Sequence, residues 1–124
     1  MAKWSIDSNS QVPIFQQIID ELERRILTGE MKANSFLPSV REFAVACSVN
    51  PNTVAKSYQQ LQTLGLVESV RGKGLLVNEL TTKRADNRKD QLLNLKIDEC
   101  LDLANTLGYS SQKLIEMLRE RSRK

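Results

Sequence analysis

The stretch Leu37 to Leu61, LPSVREFAVACSVNPNTVAKSYQQL, constrains the fold more than any other part of the 124-residue chain. Ser39 followed by Glu42 has the spacing of a capping box, which starts a helix. Val40, Phe43, Ala44 and Cys47 then recur at helical spacing and give that helix a buried side. Ser48 and Val49 leave room only for a tight corner. Asn50 can cap a second helix, with Pro51 in its first turn, where a missing N–H costs nothing. Val54, Tyr58, Leu61 and Leu64 supply this helix's inner face, and Gly65 is placed to end it. Asn50, Asn52, Thr53 and Lys56 are polar and lie at its leading end and outer side. Two helices, a sharp corner and a polar leading end describe a helix-turn-helix, whose second helix suits the major groove of DNA.

The flanking sequence extends this unit. Trp4 and Ile6 lie in a short extended lead. Phe15, Ile18, Ile19, Leu22, Ile26 and Leu27 draw one apolar face on a helix from about Pro13 to Thr28, which Gly29 ends. Beyond Gly65, Leu66 to Val70 and Leu75 to Val77 are β-prone, and Arg71, Gly72, Lys73 and Gly74 separate them. That pattern predicts a hairpin with a basic tip, which would serve as a wing. Glu79 to Asn87 is polar and is expected to contain a boundary, dividing the chain into domains 1–79 and 80–124. The remainder reads as helical. Leu93, Ile97, Leu101 and Ala104 repeat along one face, which Leu92, Cys100, Leu103 and Leu107 widen. Gly108 stops that helix, and Ser110 or Ser111 can cap a last one carrying Leu114, Ile115 and Leu118. The expected fold class is mainly α with a small β-hairpin: a winged helix-turn-helix followed by a two-helix C-terminal segment.

Composition narrows the function. With 40% hydrophobic residues the chain can build a modest core, and its formal charge of +3 permits contact with nucleic acid. Histidine is absent, which removes the commonest general base and metal ligand. No nucleophile–base arrangement or metal-ligand cluster stands out, so neither enzyme activity nor a metal or cofactor is expected. Cys47 and Cys100 lie far apart in apolar helical patterns and are expected as buried free thiols of a reducing compartment. No run approaches the ~18 apolar residues of a membrane span. The N-terminus lacks a signal peptide's apolar core, so the expected location is the cytoplasm.

The broad apolar face of the fourth helix bears on mechanism, because one helix cannot bury such a stripe alone. Either the first unit or a second copy of the chain must cover it. The second copy is the expectation, through Leu93, Ile97, Cys100, Leu101 and Ala104, since a two-fold pair of recognition helices matches a pseudo-palindromic operator. The alternative is a protein-interaction module whose stripe binds a different partner.

In order along the chain stand Pro13, Gln17 and Ile18; Gly29 and Met31; Leu37, Pro38, Ser39, Arg41 and Ala44; Val49, Thr53, Val54, Tyr58 and Leu61; Gly65, Leu66 and Val67; and Gly72 and Gly74. This ordered set, covering more than half the chain, resembles the winged helix-turn-helix of the GntR family of bacterial regulators. Only about 45 residues follow the hairpin, too few for a large ligand domain. That resembles the short YtrA-like branch, whose C-terminal part is two dimerising helices. Asn34 stands where the family often has Gly, and Asn tolerates the left-handed backbone such a turn needs. Lys56 stands where Arg is common, keeping the charge but not the bidentate fork.

The resemblance implies a cytoplasmic homodimeric repressor of a double-stranded DNA operator, with no membrane partner; a small-molecule effector is left open. Ser39 and Arg41, at the start of the second helix, are expected at phosphates. Asn50, Asn52, Thr53 and Lys56 are expected at base edges or phosphates, with Asn50 also a helix cap. Arg71, Gly72 and Lys73 are expected at the minor groove. Ser57 and Gln60 are weaker candidates.

Overall fold

The computed structural model describes residues 4–123. Along the chain run α1 (Ile14–Leu27), α2 (Val40–Cys47), α3 (Pro51–Thr63), β1 (Val67–Val70), β2 (Gly74–Val77), α4 (Thr82–Thr106) and α5 (Ser111–Ser122). Two units result, one up to Thr81 and one from Thr82 onward.

In the first unit α1 and α2 both pack against α3, and β1 lies against α3 as well. Ile18 and Leu22 of α1, Phe43 of α2, and Val54 and Leu61 of α3 are fully buried. Burial of each such side chain contributes about 1.5–3 kcal/mol, so these residues dominate the unit's stability. The aromatic residues link the elements. The Trp4 ring lies 5.0 Å from Phe43, and Phe43 meets Tyr58 edge-on at 6.0 Å. Tyr58 donates its hydroxyl to the Pro38 carbonyl at 2.8 Å, and burial holds the phenol neutral by raising its pKa.

The hairpin pairs β1 with β2 antiparallel, setting Val67 opposite Val77 and Val70 opposite Gly74. The sequence reading did not anticipate a third segment beside it. Phe36 pairs with Leu76 across β2. The Asn34 N–H donates to Val77 O at 2.9 Å, and Val77 N–H returns to Ser35 O at 2.7 Å. Leu37 N–H donates to Leu75 O at 2.9 Å. The chain entering α2 is thereby stitched to the hairpin. Asn34 has φ 67°, the left-handed conformation expected of it.

In the second unit α4 packs against α5 around a turn at Gly108. Tyr109 N–H donates to Ala104 O at 2.8 Å, and the Ser110 hydroxyl caps α5 by accepting from Lys113 N–H at 3.1 Å. Within α4 the buried residue is Ala104, and no residue of α5 is buried. Leu93, Ile97 and Leu101 are 63%, 46% and 39% exposed. Both cysteines are free thiols, but burial fails for them: Cys47 is half-buried and Cys100 exposed. Cys100 is exposed because its side of α4 has no cover within the helical pair.

A charged network ties the N-terminal lead to α1. Glu21 accepts from Ser5 N–H at 2.8 Å and from the Arg24 and Arg25 guanidiniums at 3.0 Å each. Arg25 also stacks over the Trp4 ring at 4.5 Å. Burial pushes the Glu21 carboxyl up, but the Ser5 N–H and the two guanidiniums outweigh it and hold the pKa below the ordinary 4.5. A carboxylate with a depressed folded pKa stabilises the fold above its unfolded value, and that stability is lost as pH falls through the folded one. Glu21→Gln should therefore cost about 1–3 kcal/mol at neutral pH. Well below pH 4.5 the variant and parent should converge in denaturant midpoint. A gap that persists in acid would assign the loss to packing instead of charge.

Candidate nucleic-acid interface

The start of α2 is a reciprocal cap. The Ser39 hydroxyl accepts from Glu42 N–H at 3.1 Å, and the Glu42 carboxylate accepts from Ser39 N–H at 3.0 Å. That backbone N–H holds the Glu42 carboxyl below the ordinary range, so it stays charged at neutral pH. Ser39 keeps one hydroxyl proton to donate. Arg41 beside Glu42 is exposed, and Glu42 is turned back to Ser39.

The corner between the helices is left-handed at Ser48, φ 54°, and Val49 N–H closes it onto Ala44 O at 3.0 Å. Asn50 then caps α3, its side-chain oxygen accepting from Asn52 N–H at 2.8 Å. Its amide NH2 remains to donate. The inner side of α3 is taken up by Val54, Ser57, Tyr58 and Leu61, all buried. Helical geometry then turns Asn52, Lys56 and Gln59 outward, all exposed, with Thr53 half-buried beside them. The sequence of α3 holds no acidic residue, so this face itself offers amides, a hydroxyl and one ammonium and no carboxylate. Ser57 drops out as a weaker candidate: it is buried, and its one hydroxyl proton is shared between Thr53 O at 2.9 Å and Phe15 O at 3.1 Å. Gln60 is half-buried, whereas Gln59 and Gln62 are exposed. Neither is among the contacts expected from the sequence, although Gln59 lies on the face of Asn52 and Lys56 at helical spacing.

The hairpin tip is Arg71, Gly72 and Lys73, all exposed. Lys73 N–H closes the turn onto Val70 O at 2.9 Å. Gly72 and Gly74 have φ 78° and 118°, and a side chain at either would meet no neighbouring atom within 4 Å. Backbone conformation, not space, calls for glycine here. Ser39 and Lys73 line a common cleft of about 610 Å³ between α3 and the hairpin, together with Ala55, Gln59 and Gln62.

The residues expected at a second copy separate into two groups. Leu93, Ile97, Cys100 and Leu101 are exposed on α4. Ala104 departs from that set because it is already covered within its own unit, 8% exposed. Leu107, Ile115 and Leu118 add to the uncovered apolar surface. Among the described residues no helix is long and apolar enough to cross a membrane, and no cluster of metal-ligating side chains occurs.

Comparison with known proteins adds a wider frame. The family described as "Bacterial regulatory proteins, gntR family" matches residues 14–77. The chain is 38% identical to the HTH-type transcriptional repressor YtrA of Bacillus subtilis over 120 residues, 93% of this chain and 88% of that one. A GntR family transcriptional regulator from Listeria monocytogenes is similar in structure, with a TM-score of 0.76 and 27% identity, over 93% of this chain and 98% of that one. YtrA from Sulfolobus acidocaldarius superposes with a TM-score of 0.62 and 31% identity, over 82% and 99% of the two chains. In each case the matched share of this chain is larger than the residues up to the end of the hairpin could supply.

Asn50→Ala should lower the stability of the first unit by about 1 kcal/mol through loss of the α3 cap. Asn50→Ser, which can still cap, should recover most of the melting temperature. Equal melting of the alanine variant and the parent would show that the cap contributes little.

Proposed function

Because the chain belongs to the gntR family of bacterial regulatory proteins, whose members are DNA-binding transcriptional regulators, we propose that it works as a dimeric, sequence-specific repressor. The observation that carries this reading is the outer face of α3, exposed and free of carboxylates, lying in the same unit as a basic hairpin tip. On this reading Asn52, Thr53 and Lys56 reach base edges in the major groove, with Asn50 donating its free amide beside them. Arg41 and Ser39 hold phosphates at the start of α2. Arg71 and Lys73 follow the negative potential of the adjacent minor groove, where Gly72 keeps the tip narrow.

The assignment as a repressor is supported by the similarity to the Bacillus subtilis protein of that name. Occupation of a promoter would exclude polymerase without any catalytic step. The dimer is supported by the uncovered apolar surface of α4, since contiguous exposed apolar patches mark interaction sites. Two-fold pairing would place the recognition helices in major grooves about 34 Å apart on a pseudo-palindromic operator. The reading places the protein in the cytoplasm with its DNA.

Arg41→Ala should weaken operator binding roughly tenfold or more, from loss of a charged phosphate contact. Fluorescence anisotropy at matched salt measures this, and unchanged affinity would remove Arg41 from the interface. Lys73→Ala should reduce the slope of log affinity against log salt by about one. An unaltered slope would take the hairpin tip off the DNA. For the dimer, Ile97→Asp should give a monomer in light scattering that binds operator weakly. A parent chain that is already monomeric would favour a different partner for the α4 stripe.

A further inference from the structure

The cleft between α3 and the hairpin has a role that none of the expected contacts assigns. It is bounded by Ala55, Gln59 and Gln62 of α3 and by Lys73 and Leu75 of the hairpin, and the chain from Phe36 into the start of α2, including Pro38 and Glu42, lines the rest. Phe36, 43% exposed despite its pairing with Leu76, lines it too. Any occupant must be compatible with what the two walls do. On the proposed reading α3 lies in a major groove and the hairpin tip in the neighbouring minor groove. Adjacent grooves of a duplex are divided by a single sugar-phosphate strand, so that strand has to pass between the two walls.

We infer that this cleft is the seat of that strand, with Gln59 and Gln62 donating amide N–H groups to its phosphates and the Phe36 ring resting against a deoxyribose. The inference rests on the proposed DNA-binding reading and adds residues to it. The chemistry of the lining fits the occupant. Deoxyribose presents C–H groups, and Phe36, Leu75 and Ala55 offer apolar surface to meet them. Phosphate oxygens need donors, and a glutamine amide supplies two N–H groups. Ala55 has only a methyl, which leaves the passage open. The charge of the cleft is balanced, because Glu42 lines it as well as Lys73. Its carboxylate is occupied by the Ser39 N–H at 3.0 Å, at the α2 end. Within the cleft Lys73 supplies the positive charge and the glutamine amides the neutral donors, while Arg41 and Lys56, which do not line it, attract the duplex from outside. The neutral amides release no counterion when they bind phosphate.

The test uses the full chain and a site enriched from random-sequence duplexes. Ala55→Leu keeps a good helix former at an exposed position and fills the passage. It should lose at least about tenfold in affinity for both the enriched site and random duplex, with an unchanged melting temperature. The Gln59→Ala, Gln62→Ala double variant should lose about two- to tenfold per amide on both DNAs. Its salt slope should match the parent's, unlike that of Lys73→Ala. Phe36→Ala should weaken both DNAs without changing the slope. A changed slope in the glutamine variant would overturn the inference. So would parental affinity in the Ala55→Leu and glutamine variants while Asn52→Ala and Lys73→Ala bind weakly; the strand would then run elsewhere and the DNA-binding reading would stand. A parent chain that enriches no sequence and binds no duplex would defeat that reading itself, and the inference with it.

Discussion

The packing of α3 against α1 and α2 is the constraint from which the candidate interface follows. Val54 and Leu61 have no solvent exposure, and Ile18, Leu22 and Phe43 from the neighbouring helices are equally buried. Once those positions face inward, a helical period leaves Asn52, Lys56 and Gln59 no direction but outward. Two hydrogen bonds reinforce the placement. The Tyr58 hydroxyl reaches Pro38 ahead of α2, and the Ser57 hydroxyl reaches Phe15 in α1. The outer face is thus presented by a helix whose rotation is fixed by its packing and by these two bonds.

The hairpin is held to the same body by a second device. Asn34, Ser35 and Leu37 exchange backbone hydrogen bonds with Leu75 and Val77, so the strand pair grips the chain that enters α2. The basic tip is therefore hydrogen-bonded to the chain that enters α2, and on the proposed reading a duplex would meet two preset surfaces. Preset donors avoid the entropy of ordering a loop at the moment of binding. At the other edge of the unit, Trp4 lies between Phe43 and the Arg25 guanidinium, anchoring the lead that precedes α1.

Much of this was legible in the sequence because it depends on neighbours close along the chain. The Ser39–Glu42 cap, the Asn50 cap before Pro51 and the hairpin between Val67 and Val77 are local patterns with local causes. The left-handed turn at Asn34 was implied by the family resemblance, which often has glycine there, and asparagine tolerates that backbone. What escaped depends on distant partners. Nothing near Phe36 announces that Leu76 will pair with it, and nothing near Glu21 announces Ser5. Ser57 looked like a surface hydroxyl until a carbonyl of α1 claimed it. In the second unit the apolar period of α4 was clear, but the share covered by α5 was not. That share takes Ala104 and leaves Cys100, Leu93 and Ile97 in solvent.

The account turns on α3 lying in a major groove with the hairpin tip in the minor groove beside it. Dimethyl sulfate footprinting of a duplex site enriched from random sequence reads both grooves at once, at guanine N7 and at adenine N3. N7 protection is expected at two half-sites about 34 Å apart, each flanked by N3 protection one groove over. Bound DNA whose N7 and N3 positions stay as reactive as in the free duplex would contradict it.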